Sequence, residues 1–234
     1  MRLFGDRLSP YVDKVASALE LKRVPFESVP IRSLGDLKRW NPITGKMPVL
    51  ELGDEHGGER LWDSTRILRR LEELHPEPRL LSADPAVAAA QRQLEDWSDE
   101  SLYWYVMSYR WAPSRAARSL GEIFDHAKVP PMVRVLAGGL WRRRVRQATL
   151  AQGLGRLPEE VLERELEGRL DDLATLLGAD PWFVGEGPSW ADLAVVGELR
   201  FLGISEDGRR KVEARPALAA LERRLGEACA AAHR

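Results

Sequence analysis

The chain has 234 residues, enough for one large domain or two small ones, each able to bury a core. Its 35 Lys and Arg against 36 Asp and Glu leave a formal net charge of -1, so no bulk field draws it to nucleic acid or membrane. A lone cysteine, Cys229, excludes an intrachain disulfide framework. With neither a signal-peptide core nor a membrane-length apolar run, the expectation is a soluble, cytoplasmic protein.

The first eighty or so residues alternate in type. "RLFG" (2–5) predicts a buried strand, and residues 10–22 a helix with Val12, Val15, Ala16 and Leu19 on one face. Between them stands Ser9-Pro10. Serine is a favoured N-cap and proline is tolerated at the first helical position, so the pair starts a helix; a hydroxyl beside helix N-terminal amides also suits an anion. "FESVPI" (26–31) predicts a second strand, and residues 34–40 a short polar helix. In "NPITGKMPVLEL" (41–52) Asn-Pro and Gly mark a loop, and "PVLEL" a strand opened by a proline. "GDEHGG" (53–58) predicts a hairpin turn, "ERLW" (59–62) the returning strand and residues 64–75 a helix. The order β-α-β-α-β-β-α is that of a small α/β unit.

Residues 76–85, "PEPRLLSADP", break the pattern as a linker, and only helical periods follow. Trp97, Trp104 and Trp111 recur every seven residues on what the spacing predicts is one long helix, as a core stripe. Tyr105 and Tyr109 form a separate i, i+4 pair on it. "WRRRVRQ" (141–147) predicts a solvated helix face. Residues 158–178 place Leu162, Leu166, Leu170, Leu173 and Leu177 on one apolar stripe. "SWADLAVVGELRFLG" (189–203) predicts a buried helix opened by a capping box, in which Ser189 accepts from the Asp192 backbone and the Asp192 carboxylate reaches back. His56, His75, His126 and His233 are scattered without metal-ligand spacing, so no metal is expected. Cys229 stands on an alanine-rich helix with no base motif beside it.

Four of these segments, in this order and at these separations, resemble the glutathione transferase family, in its serine-type, bacterial-like form. "SPYVDKV" is similar to the family's serine-proline-aromatic element, and "NPITGKMPVLEL" to its Asn-Pro-x-x-x-Lys-x-Pro-Val-Leu loop, whose proline follows a cis bond. "LWDSTRILRRLEE" is similar to its acidic-serine helix start, and "WFVGEGPSWADLAV" to its C-terminal capping-box helix. The segment 152–193 also resembles Fax- and metaxin-like relatives. The resemblance implies a thioredoxin-like α/β domain over residues 1–76 that binds glutathione. An all-helical bundle over 84–234 would line the site of a small electrophile. It also implies a symmetric homodimer.

The implied site residues have their own physical sense. A serine hydroxyl is too weak a base to deprotonate a thiol, but it can donate to a thiolate, so Ser9 would stabilise glutathione thiolate as the catalytic group. Lys46 would hold a carboxylate as a point charge, and Met47, before Pro48, would pair its backbone with the extended tripeptide. Ser64 would take the γ-glutamyl carboxylate and Asp63 its ammonium, with Asp63 one methylene shorter than the family's commoner Glu or Gln. Tyr11, Tyr105 and Tyr109 are the implied electrophile contacts. The implied activity is conjugation of glutathione, as co-substrate, to small apolar electrophiles in detoxification. Isomerase or peroxidase chemistry would need only the same thiolate. The alternative is a non-catalytic glutathione-binding or scaffolding protein with the same fold.

Overall fold

The computed structural model describes residues 1–31, 33–126, 129 and 131–232, so His233 lies outside it. Four short strands form one mixed sheet: β1 (Arg2–Phe4), β2 (Glu27–Val29), β3 (Val49–Glu51) and β4 (Arg60–Trp62). The order is β2-β1-β3-β4, with β2 parallel to β1 and β3 antiparallel to both β1 and β4. The helices α1 (Pro10–Leu21), α2 (Leu34–Trp40) and α3 (Ser64–Leu74) connect and cover it. The turn at 53–58 contains a short 3-10 helix, Asp54–His56, before Gly57 and Gly58, both at positive φ. This is the small α/β unit that the alternation of strand and helix signals predicted, and the thioredoxin-like arrangement that the family resemblance implied.

The pleat sorts the core. Phe4 and Val49 are paired partners and join Leu37 and Trp40 of α2 in one cluster, with the Phe4 and Trp40 rings 5.2 Å apart. Leu3 and Leu50, the next pair, are buried too, as are Val15 and Leu19 of α1 and Ile67 and Leu71 of α3. The chain turns from β1 into α1 at Gly5, whose φ is +134; a Cβ there would lie 2.6 Å from Val12 Cγ2.

By its contacts the chain forms two compact units: Met1–Glu95 with Asp180–Gly197 and the residues from Ala220 on, and Asp96–Ala179 with Glu198–Ala219. In the first, the start of α9 (Trp190–Leu202) reaches the sheet domain closely, because Gly197 lacks a Cβ that would sit 2.8 Å from the Pro10 carbonyl oxygen. The capping box at Ser189 takes a different form from the one expected. The Asp192 carboxylate does reach back to the Ser189 N–H (2.9 Å), but the Ser189 hydroxyl donates to that carboxylate (2.7 Å). The reason is burial: Asp192 is fully buried, so its charge collects every donor at hand, including the Phe183 N–H at 2.9 Å. Burial still pushes the Asp192 carboxyl up, against those hydrogen bonds.

The second unit is helical. Helix α8 (Glu159–Leu177) buries Leu162, Leu166, Leu170, Leu173 and Leu177, the stripe read from the sequence. The long helix expected across the tryptophans is instead α4 (Pro85–Trp97), a π turn at Ser98–Leu102, and α5 (Tyr103–Arg110). A π turn shifts the helical phase, so a seven-residue spacing no longer keeps one face. Trp97 and Trp104 are half-buried, and Leu102, Val106 and Tyr109 take the core positions beside Trp111. The remaining helices of this unit are α6 (Ala116–His126), α7 (Pro131–Gln152) and α10 (Glu206–Glu213), while α11 (Pro216–Ala232) belongs from Ala220 on to the first. Arg142, Arg143, Arg144 and Arg146 of the basic run are exposed on α7.

Candidate functional site

Strand register gathers the candidate residues. Phe4 pairs with Val49, and Val49 with Trp62, so the three form one row across the sheet. The chain leaves Phe4 toward Ser9, enters Val49 from Lys46, Met47 and Pro48, and leaves Trp62 into Asp63 and Ser64. All six candidates for glutathione contact therefore issue from one end of the sheet.

Ser9 is the N-cap of α1, with extended backbone (φ -79, ψ 126). Its carbonyl accepts the first helical bond, from the Asp13 N–H at 2.9 Å, and its own N–H donates to Asp6 O at 2.9 Å. Its hydroxyl makes no capping bond. The half-buried side chain thus stands at a helix N-terminus with its donor unused by the helix, where the dipole favours negative charge.

The loop before β3 is built around Asn41, which is buried. Its Nδ2 donates to Thr44 Oγ1 (2.6 Å) and Lys46 O (3.1 Å), and its Oδ1 accepts from the Thr44 N–H (3.1 Å). Gly45, at φ +63, completes the turn. The Met47–Pro48 peptide is cis. Lys46 is exposed and forms no ion pair among the described residues. The Met47 side chain lies against Gly5, whose Cβ position would be 3.2 Å from Met47 Cβ, so loop and α1 entrance are neighbours. Sequence reasoning quoted Asn41 only as a turn marker; its place as the hub of three hydrogen bonds was missed.

Asp63 and Ser64 open α3. Asp63 is its N-cap, exposed, with Oδ1 accepting from the Arg66 N–H at 3.0 Å. Its φ of +81 is costly for a residue with a Cβ, by about 1–3 kcal/mol, and such strain clusters at ligand sites. Ser64 is buried at the first turn of the helix.

The tyrosines are dispersed. Tyr11 is half-buried on α1, with Lys14 Nζ 5.9 Å from its ring centre. In the helical unit the Arg169 guanidinium lies 3.5 Å above the Tyr105 ring. Tyr109 is buried, with Arg115 and Lys211 at 4.3 and 5.4 Å from its ring, and burial raises its phenol against those cations. It borders a charged cavity, not an apolar one, so its surroundings do not suit the apolar electrophile expected there. Cys229 is buried with Sγ 3.8 Å from Ser17 O. Among the described residues no His, Cys, Asp and Glu group could hold a metal, and no helix is long and apolar enough to cross a membrane.

Residues 3–79 match the family model described as the N-terminal domain of glutathione S-transferase. The chain is 27% identical over 199 residues to the isoprene-epoxide–glutathione S-transferase of Rhodococcus, covering 83% of this chain and 80% of that protein. It is similar to a glutathione S-transferase of Methylobacterium radiotolerans solved with glutathione sulfonate: 28% identity, 96% of this chain, 90% of that one, TM-score 0.61. It is also 24% identical over 211 residues to Failed axon connections of Drosophila melanogaster, covering 83% of this chain and 47% of that protein.

Proposed function

Because the chain belongs to the glutathione transferase family, we propose that it binds glutathione as a thiolate and adds it to small apolar electrophiles. The observation that carries this reading is the Ser9 hydroxyl, unused by the helix it caps and placed at the sheet end that also bears the loop 46–48 and the pair 63–64. A thiol of pKa about 8.5 is mostly protonated at neutral pH, and a hydrogen bond to the sulfur favours its charged form. The thiol proton goes to solvent. The sulfur then bonds to the electrophilic carbon, and the leaving group, or the oxygen of an opened ring, departs with the electron pair.

The rest of the tripeptide is held by residues 1–76. Met47 pairs its backbone with the peptide, Lys46 faces a carboxylate, and Ser64 gives its hydroxyl and N–H to the γ-glutamyl carboxylate. Asp63 offers the ammonium its second oxygen, since the first is occupied by Arg66 N–H. Tyr11 of α1 contacts the electrophile. The same thiolate would serve isomerase or peroxidase chemistry as a side activity. In the cell this is a cytoplasmic detoxification enzyme acting as a homodimer. Light scattering gives twice the chain mass down to micromolar concentration if so, and a single-chain mass if the dimer is wrong.

One observation favours a second reading, a glutathione binder without turnover: the short Asp63 side chain is already engaged as a helix cap. Calorimetric titration with glutathione followed by a rate assay with a generic aryl halide separates the two. Heat with turnover supports the transferase, heat without turnover supports the binder, and no heat refutes both.

A further inference from the structure

We propose that Glu95 is a positioning residue, which ties the Ser9-bearing helix to the Ser64-bearing helix and so holds the thiol and γ-glutamyl contacts in one register. The inference rests on the glutathione reading above. Glu95 stands near the end of α4 and is buried, as is Lys14 of α1. One oxygen, Glu95 Oε1, accepts both from Lys14 Nζ at 2.8 Å and from Thr65 Oγ1 at 2.5 Å. Lys14 follows Ser9 by little more than one helical turn, and Thr65 directly follows Ser64 in the first turn of α3.

Packing alone would leave the relation of these helices loose. Helices α1 and α3 contribute aliphatic side chains such as Val15, Leu19, Ile67 and Leu71 to the core, and apolar contact carries no direction. Hydrogen bonds converging on one fixed oxygen do carry direction. The arrangement is also a poor choice for stability alone, because desolvating an ion pair to 1% and 3% exposure offsets its attraction, and an apolar pair of like volume serves as well. What an apolar pair cannot supply is the fixed distance between the starts of two helices. The proposed chemistry leaves Lys14, Thr65 and Glu95 otherwise without a task. Lys14 also faces the Tyr11 ring, so the tie reaches a third candidate contact.

Two variants of the full chain test this. Thr65→Val keeps the volume and cuts only the tie to α3. Lys14→Met combined with Glu95→Leu cuts both ties without stranding a buried charge. Calorimetry gives glutathione affinity, thiolate absorbance across pH gives the bound thiol pKa, and a thermal melt checks that each variant folds. Thr65→Val is expected to weaken glutathione by about threefold to tenfold, part of one hydrogen bond's worth of positioning, with the bound thiol pKa unchanged. The double variant is expected to weaken binding at least as much and to raise the thiol pKa as well. A merely structural pair would shift the melt and leave that split absent. Wild-type binding with both variants folded and equal to wild type in affinity and pKa overturns this inference alone. No glutathione heat from the wild type overturns the glutathione reading and this inference with it.

Discussion

Two regions of the molecule are dense in polar side chains, and they use them in opposite ways. In the helical unit a cavity of about 430 Å³ is bordered by Tyr109, Arg115, Glu163, Glu167, Lys211 and Arg215 among others. Its charges are matched within the protein. Arg115 meets Glu159 and Glu163, Lys211 meets Glu163 and Glu167, and Arg215 meets Glu167 and Asp171. At the end of the sheet the polar groups are fewer and part of their capacity is unused: the Ser9 hydroxyl is not used as a cap, and Lys46 is exposed. The first region is a clasp that joins α8 to α10 and to the turns that follow α5 and α10. The second keeps hydrogen-bonding capacity in reserve. On the proposed reading, charge density is therefore a poor guide to the site, and an unfilled donor at a helix N-terminus a better one.

That contrast can be broken from either side. The largest effect is expected at Asn41, which shapes the reserve region through three hydrogen bonds. Asn41→Ala should cost about 2–3 kcal/mol in chemical denaturation, because the three hydrogen bonds that hold the loop are lost together. A wild-type midpoint would mean that the loop holds itself. Next, Ser64→Ala removes a charge-assisted donor worth about 1.5–3 kcal/mol, so calorimetry should show glutathione binding weakened tenfold or more. Asp63→Asn keeps an acceptor for the Arg66 N–H and should cost less. Equal affinity in both variants and wild type would reduce the pair to a helix cap.

The smallest effect belongs to the clasp. Its carboxylates are partly exposed, so Glu167→Gln should cost only about 1 kcal/mol. The clasp should also be acid-sensitive. Glu159 is held below the usual carboxylate range, chiefly by the Ser114 hydroxyl and against burial. For Glu167 burial acts upward, but hydrogen bonds from Lys211 and Arg215 and their charges outweigh it. A depressed folded pKa contributes stability that is present above the unfolded value of 4.5 and lost as pH falls through the folded one. Melting temperature should thus fall below about pH 4.5, less steeply in Glu167→Gln. Parallel pH profiles would contradict the clasp.

The sheet domain was legible because its signals are local. Alternation of apolar residues, Pro48 and the glycines at 53–58 bounded the strands to within a residue or two of the observed ones. The α8 leucines were legible for the same reason, as a period over one straight helix. The tryptophans misled because the π turn at Ser98–Leu102 changes the phase within the run, and nothing in "SDESL" announces it. The Ser189 hydroxyl was misdirected because capping rules assume an exposed helix start, whereas burial gave the Asp192 carboxylate first claim on every donor. Candidate site residues could be named from motif resemblance, and the row Phe4–Val49–Trp62 then supplied what spacing could not, their common end of the sheet. The node of Lys14, Thr65 and Glu95 joins residues up to 81 positions apart and has no local signature.

The central claim is that Ser9 stabilises a bound thiolate, and one measurement addresses it directly: thiolate absorbance of bound glutathione across pH in wild type and Ser9→Ala. Glutathione affinity should change little if, as proposed, contacts at Met47 and Ser64 hold the peptide. The account predicts a thiol pKa raised by about 1–2 units in the variant, the loss of a hydrogen bond to a charge worth about 1.5–3 kcal/mol. An identical thiol pKa in wild type and variant would contradict it, and Ser9 would then be only the residue before a helix.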